Sequence, residues 1–194
     1  MTRTVSALRE RPRGRVDVEL DGSAWRTLPA DAVVRAGLAV GRALDRGTAR
    51  ELARELRRSR ALARALRALS ARDRSRGELD SRLAEAGLPD AARAQALEAL
   101  ERGGLVDDAR VAASRASALA RRGYGDAAIR ADLERRLVPA EAIVSALESL
   151  DSEPDRAAWL LARAPDKPAA LRRLVGRGFD RDVLDELMQF AREA

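Results

Sequence analysis

The chain of 194 residues contains no cysteine and no histidine, and only 3% of its residues are aromatic. These absences exclude disulfides, the usual Cys and His zinc ligands and a nucleophile paired with histidine. We therefore expect no catalytic residue, no metal and no cofactor, and a protein that is not an enzyme. With so few aromatic residues the core must consist of Ala, Leu and Val, which favours helices packed closely on small side chains.

Long apolar runs are also absent, and the N-terminus has no apolar segment before its first charges. We expect a cytoplasmic protein with no membrane contact. Lysine is almost missing, since Lys167 is the sole example and arginine carries nearly all of the net charge of +6. Such a balance permits contact with nucleic acid or with an acidic protein surface.

The N-terminal part has a strand pattern. Residues 15–28 alternate apolar and polar side chains on either side of Asp21 and Gly22, and Asp-Gly between alternating runs is a strong hairpin signal. Because an isolated hairpin is marginally stable, we expect it to pack on a helix that begins near Asp31 and contributes Val33, Val34 and Leu38.

An internal repeat begins at about Leu62, with counterparts offset by 50 and 91 residues. Leu83, for example, matches Leu133 and Leu174. We predict a mainly α fold of tandem three-helix repeats in an elongated, curved array, preceded by a small β-hairpin region. The predicted divisions are 1–58 for the hairpin and its helices, and 59–103, 104–150 and 151–194 for the three repeats.

The helical pattern is interrupted at equivalent places in the three repeats, just before the second helix of each. Ser75 and Glu78 form a capping-box pattern, Asp126 is a plausible N-cap, and Asp166 is placed to cap a helix that has Pro168 in its first turn. The second helices are therefore predicted to begin near residues 76, 127 and 167.

The chain's one tyrosine, Tyr124, lies between Gly123 and Gly125 and follows Arg121 and Arg122. One interpretation is a corner between helices, with Gly123 in the left-handed conformation and the arginines at the negative end of the preceding helix. The other is an exposed contact point, because Tyr and Arg are enriched at binding hot spots. Both interpretations can hold together.

Charge occurs in blocks. Residues 48–76 contain ten arginines against three acidic residues, whereas residues 78–108 contain three against eight. Basic first helices could form a stripe on one side of the array, or neighbouring helices could neutralise one another. The candidate partner-binding residues are Arg57, Arg64, Arg72, Arg74, Arg115, Arg121, Arg122, Tyr124 and Gly125.

The segments "ALRALSARDRSRGELDSRLAEAGL" and "RRGYGDAAIRADLERRL" resemble the RecX family of bacterial regulatory proteins, over roughly residues 60–150. No single motif is specific, but their order and spacing together are. Leu137 departs from the pattern, since a glycine usually precedes the third helix. The matching residues are Arg72 or Arg74 with Ser75, Glu78 and Leu79, then Leu105, Asp107 and Asp108, then Gly123, Gly125, Ile129 and Leu133.

The resemblance implies a non-enzymatic modulator of the RecA recombinase that binds the RecA filament on single-stranded DNA. We expect the protein itself to be a monomer. Its expected effect is to restrain ATP hydrolysis, strand exchange and the coprotease action behind the SOS response, with arginines near DNA phosphates adding affinity. The alternative is a helical-repeat protein that binds nucleic acid directly through its Arg-rich helices.

A third hypothesis, an enzyme using the adjacent carboxylates of Asp107 and Asp108, is disfavoured, because neighbouring residues on a helix point apart. We interpret the pair as an N-cap and a first-turn acid. Trp25 and Trp159 are predicted to anchor the core, since the chain has few other large side chains. Tyr124 is then the one aromatic residue expected to be exposed enough for stacking.

Overall fold

The computed structural model describes the backbone of residues 2–193 and the side chains of residues 2–189. The chain forms two compact units, one of residues 1–72 and 79–105, the other of residues 73–78 and 106–194. Strands occur only before residue 45 of this described part, and helices make up most of the remainder, which confirms the predicted mainly α class. Among the same residues, no helix has the length and apolar character needed to cross a membrane.

The strands are β1 (Arg3–Arg11), β2 (Arg15–Leu20), β3 (Ser23–Pro29) and β4 (Ala43–Leu44). The helices are α1 (Ala30–Arg35), α2 (Arg46–Leu69), α3 (Arg76–Glu85), α4 (Asp90–Arg102), α5 (Asp108–Arg121), α6 (Asp126–Arg135), α7 (Ala140–Glu148), α8 (Glu153–Ala162), α9 (Lys167–Gly176) and α10 (Arg181–Glu193).

The N-terminal sheet is antiparallel, with strand order β3-β2-β1-β4. The hairpin predicted at Asp21 and Gly22 is confirmed, because Leu20 pairs with Ser23 across it. Strand β1 was not predicted, since Val5 is its one buried residue and a bulge interrupts its pairing before Ala7. Its apolar alternation is too weak to show in the sequence.

The sheet packs against α1 and the first half of α2. Buried side chains from all three, among them Val18, Val33 and Leu52, form one apolar cluster, and Trp25 packs partly buried against it as predicted. Val34, in contrast, is 75% exposed, so its predicted burial is wrong. Helix α1 has only six residues and turns one narrow face to the sheet, which leaves Val34 on the other side.

Helix α2 serves two cores. Asp45 caps its start by accepting a hydrogen bond from the Thr48 N–H at 2.8 Å, which lowers the pKa of that carboxyl. Leu52 lies under the sheet, whereas Ala61 and Ala65 are fully buried farther along, where α2 packs on α4. Alanine at these points lets two helix backbones approach closely, as the shortage of aromatics predicts.

The repeat positions of Leu83 and its two counterparts are all buried. Leu83, Leu133 and Leu174 are 1%, 0% and 3% exposed, respectively. In the second repeat, Ile129 packs in one buried cluster with residues of α5 and α7. In the third repeat, Phe179 packs in another with residues of α8 and α10. Each of these three-helix groups therefore has its own small, mainly aliphatic core.

The predicted caps are confirmed except at α6. The hydroxyl oxygen of Ser75 accepts from the Glu78 N–H at 3.0 Å, and Asp166 accepts from the Ala169 N–H at 3.0 Å. Asp126 is not the N-cap, because Gly125 occupies that position and Asp126 begins the helix. The carboxylate of Asp126 instead binds Arg156, a residue that local sequence does not place nearby.

Leu137 is one of three non-glycine residues with positive φ in the described chain, at 54°. The equivalent positions before the third helices of the other repeats are Gly87 at 73° and Gly178 at 79°. A left-handed conformation costs an L-residue about 1 kcal/mol or more, and glycine avoids most of that cost. The departure from the family pattern at Leu137 is therefore a local strain.

We predict that Leu137→Gly raises the free energy of unfolding by about 0.5–1 kcal/mol, because it relieves this strain at a half-exposed site. Urea unfolding followed by circular dichroism measures the change. Leu105→Gly is the matched control, since Leu105 is 50% exposed and Leu137 is 52% exposed, but Leu105 has no positive φ. A loss of stability in both variants would contradict the strain.

Candidate interaction surfaces

The Gly123–Gly125 corner is a contact between two main chains. Gly123 has φ of 76°, as predicted for the end of α5. The Gly125 N–H donates to the Arg177 carbonyl oxygen at 2.9 Å, and the Ala127 N–H donates to the Gly178 carbonyl oxygen at 3.2 Å. A Cβ atom at Gly125 would lie 2.3 Å from that Gly178 oxygen. The corner of the second repeat therefore joins the α9–α10 corner of the third.

Tyr124 is half-buried and packs against the core of the second repeat. Two guanidinium groups lie near its ring, with the Cζ atoms of Arg122 and Arg177 at 5.6 Å and 5.4 Å from the ring centroid. Arg177 also donates to the Arg122 carbonyl oxygen at 2.8 Å. Arg122 and Arg121 are exposed, so the arginines at this corner face solvent more than the tyrosine does.

Arg156 and Glu153 of α8 reinforce the same corner. Arg156 donates to the Tyr124 carbonyl oxygen at 3.0 Å and pairs with Asp126. Glu153 accepts from the Asp126 N–H at 2.6 Å and from the Asp180 N–H at 3.3 Å, so its carboxylate caps the starts of two helices. Sequence reasoning missed both residues, because each acts on a corner distant in the chain.

Asp107 and Asp108 have structural partners. Asp107 caps α5 by accepting from the Arg110 N–H at 2.9 Å, as predicted. Asp108 accepts from the Arg76 N–H at 2.7 Å at the start of α3. The two carboxylates thus bind different helix termini and do not share a site. No group of three or more acidic residues in the described part of the chain could hold a metal ion.

Two of the arginines predicted to bind a partner, Arg115 and Arg74, form internal ion pairs. Arg115 binds Asp132 through its Nε at 2.8 Å, and Arg136 binds the same carboxylate at 2.8 Å. The Arg115 hydrogen bond, followed by that of Arg136, holds the pKa of Asp132 well below its usual range. Arg74 pairs with Glu78 at 3.6 Å and is only 11% exposed.

Arg57 and Arg64 lie on an exposed face of α2, and Arg72 is exposed just beyond its end. Four further arginines that sequence reasoning did not single out share the face. Successive arginines of this face are three, four or seven residues apart in the sequence, which matches the helix period. This spacing could have indicated that they share one face. We define the α2 arginine face as Arg46, Arg50, Arg57, Arg60, Arg64 and Arg67, all of them exposed.

A groove between α5 and α8 exposes the third repeat's tryptophan. Trp159 is 57% exposed, so its predicted core role is wrong, because Ala157 and Leu161 face the core instead. The Arg163 guanidinium lies 3.8 Å from the Trp159 ring centroid. This α5–α8 groove has a volume of about 590 Å³, and its lining includes Ser117, Ala120, Arg121, Leu150, Trp159 and Leu160.

A small sheet followed by three-helix groups, with arginine-rich surfaces and an exposed tryptophan, defines a helical-repeat protein. Two family models match the chain, "RecX, first three-helix domain" at residues 61–100 and "RecX, second three-helix domain" at residues 107–147. They cover the first two of the three groups.

Similar proteins carry the name "Regulatory protein RecX". The one from Mycobacterium avium (strain 104) is 36% identical over 137 residues, which are 63% of this chain and 79% of that protein. The one from Stenotrophomonas maltophilia (strain R551-3) is 34% identical over 130 residues, 62% of this chain and 80% of that protein. The chain belongs to the RecX family.

Solved structures share the fold. A crystal structure of regulatory protein RecX matches with a TM-score of 0.80 at 21% identity, over 96% of this chain and 99% of that one. RecX from Lactobacillus salivarius matches with a TM-score of 0.61 at 18% identity, over 71% of this chain and 98% of that one. At 96% coverage the first match includes most of the N-terminal sheet and the third repeat, which the family models leave out.

We predict that Asp132→Asn lowers the free energy of unfolding by about 2 kcal/mol at pH 7, because Arg115 and Arg136 lose a charged acceptor. The folded-state pKa of Asp132 is depressed, so its contribution is complete above pH ~4 and decreases as the pH falls further. The difference between the two proteins, measured by urea unfolding, therefore narrows at low pH. Asp185→Asn, at an exposed site on α10, is the control. A constant difference across the pH range would contradict the ion pairing.

We predict that Gly125→Ala lowers the free energy of unfolding by about 1–3 kcal/mol, because the new methyl group meets main-chain atoms that cannot move independently. Gly176→Ala is the control, since a Cβ atom added there would have open space around it and the site is helical. This second change should stabilise the protein by about 0.5–1 kcal/mol. Equal effects of the two substitutions in chemical denaturation would rule out the close contact.

Proposed function

We propose that this protein binds the RecA filament on single-stranded DNA and lowers its ATPase, strand-exchange and coprotease activities. Membership of the RecX family, whose members similar to this chain are named regulatory proteins, carries the proposal. In this proposal the protein is a non-enzymatic cytoplasmic monomer without a cofactor. Repeated helical units support it, because several contacts of modest strength can act together on a polymeric partner.

The α5–α8 groove is the surface that we assign to RecA. Exposed tryptophan and arginine side chains are the commonest hot spots of protein interfaces, and Trp159 and Arg121 line this groove together. Leu150 and Leu160 provide an apolar floor, and Asp151 and Asp155 supply a polar rim. Together they have the composition of a protein-binding site.

We keep Arg122 and Tyr124 as a second contact, because they lie at the end of α5, the helix that carries Arg121. Arg122 is exposed and holds its guanidinium over the Tyr124 ring. Gly125 is buried against the third repeat, so in this proposal it positions the contact and does not touch the partner.

The test is RecA ATPase on single-stranded DNA, with this protein titrated at fixed salt. We expect inhibition at substoichiometric amounts. Arg121→Ala with Trp159→Ala should raise the half-inhibitory concentration about tenfold or more, as expected for loss of hot-spot side chains. Arg130→Ala with Val144→Ala is the control, since it removes an exposed arginine and an exposed apolar residue elsewhere in the same unit.

If both double variants inhibit RecA as strongly as the wild type does, the groove is not the RecA contact. Arg122→Ala then tests the neighbouring corner. If wild-type protein has no effect until it is abundant enough to coat the DNA, filament binding is wrong. Helical circular dichroism of each variant verifies the fold.

A further inference from the structure

The six residues of the α2 arginine face lie on one narrow stripe of a 24-residue helix. At 100° per residue they fall within about 100° of the helix circumference, and from Arg46 to Arg67 they extend for about 32 Å. None has an ion-pair or hydrogen-bond partner for its side chain among the described residues. The stripe is therefore a row of unneutralised positive charges.

The acidic residues of α2 lie elsewhere on the helix and are already paired. Glu51 pairs with Arg54, and Glu55, only 6% exposed, pairs with Arg54 and Arg58. These contacts neutralise Arg54 and Arg58, which lie outside the stripe. Like charges three or four residues apart on a helix repel, so the arrangement costs stability unless an anion lies along it.

At its C-terminal end the face meets a second basic element. Arg64 and Arg67 line a groove of about 470 Å³ together with Arg82 of α3, an exposed arginine that forms no ion pair within the described residues. Glu85 is the one acidic residue in the lining, and its carboxylate accepts from Ser81. Three arginines from two helices thus line one groove.

We propose that the α2 arginine face, ending in the Arg64–Arg67–Arg82 groove, binds the phosphodiester backbone of nucleic acid directly, without RecA. One helical turn advances about 5.4 Å, and each DNA strand presents a phosphate about every 3.4 Å of duplex axis, so every turn faces at least one phosphate. An extended polyanion fits this surface better than a small anion, because the charge continues along the whole helix.

The composition of α2 also sets the mode of recognition. The helix contains no aromatic residue, no Asn and no Gln, so it lacks side chains for base stacking and the bidentate readers of adenine. Arginine alone can contact phosphates without regard to sequence. The face should therefore bind single and double strands alike, with little base preference.

The experiment measures fluorescence anisotropy of labelled oligonucleotides of about 20 nucleotides, single-stranded and duplex, which span the ~32 Å face. The purified protein of 194 residues is titrated without RecA over a range of salt concentrations. With about six phosphate contacts, log K should fall with log salt at a slope of about −4 for the single strand. Labelled poly-glutamate is the acidic-protein probe.

The test variant combines Arg57→Gln, Arg60→Gln and Arg64→Gln, which keep helix propensity while removing three charges. The control combines Arg110→Gln, Arg130→Gln and Arg173→Gln, three exposed arginines on other helices, and has the same net charge. We expect the slope of the test variant to fall to about −2 and its affinity at about 50 mM salt to drop by on the order of 100-fold. The control should bind nearly as the wild type does.

Equal losses in the two triple variants would overturn the site, because binding would then follow net charge alone. Tight binding of poly-glutamate with none of either oligonucleotide would assign the face to an acidic protein instead. RecA is absent from this assay, so a lack of DNA binding would not contradict regulation of the filament. The ATPase titration tests that regulation separately. A variant that loses DNA binding but still inhibits RecA separates the two functions.

Discussion

Close approach of main chain to main chain at the helix corners sets the arrangement of the unit formed by residues 73–78 and 106–194. Gly125 packs on Gly178, and Gly77 packs so tightly on Leu137 that a Cβ atom on it would lie 2.5 Å from the Leu137 Cβ. No side chain fits between these corners, so main-chain hydrogen bonds and carboxylates from neighbouring helices hold them. Asp108 and Glu153, the first residues of α5 and α8, each bind the N-terminal amide of a helix in the preceding repeat.

The arginines fall into two groups, according to whether a carboxylate or a main-chain carbonyl lies within reach of the side chain. Where helix corners meet, Arg156 and Arg177 donate to main-chain carbonyls, and Asp132 draws in Arg115 and Arg136. These side chains hold helices together and have little freedom to bind a partner. On α2 the acids are used locally, which leaves a face whose arginines have no internal partner among the described residues. A composition rich in arginine thus serves both cohesion and binding, and the position of a few carboxylates decides which.

Sequence patterns predicted the features that depend on neighbours in the chain. The hairpin at Asp21 and Gly22 and the caps at Ser75 and Asp166 are all confirmed, because turn and cap geometry is local. The exposure and pairing of individual side chains were predicted less well. Arg74 and Arg115 are engaged in ion pairs, Tyr124 is half-buried, and the tryptophan expected in the core is exposed. A helix pattern shows which residues share a face but not which face meets a neighbour.

Repeat period, helix boundaries and the scarcity of large side chains follow from the sequence by itself, since they reflect propensity and spacing along one chain. Tertiary structure alone decided that Arg177 lies over Tyr124 and that Asp126 binds Arg156, because the members of each pair are far apart in the sequence. It also decided which arginines stay unpaired. Charge neutralisation depends on distance in space, and one linear pattern of Arg and Asp is compatible with many such pairings.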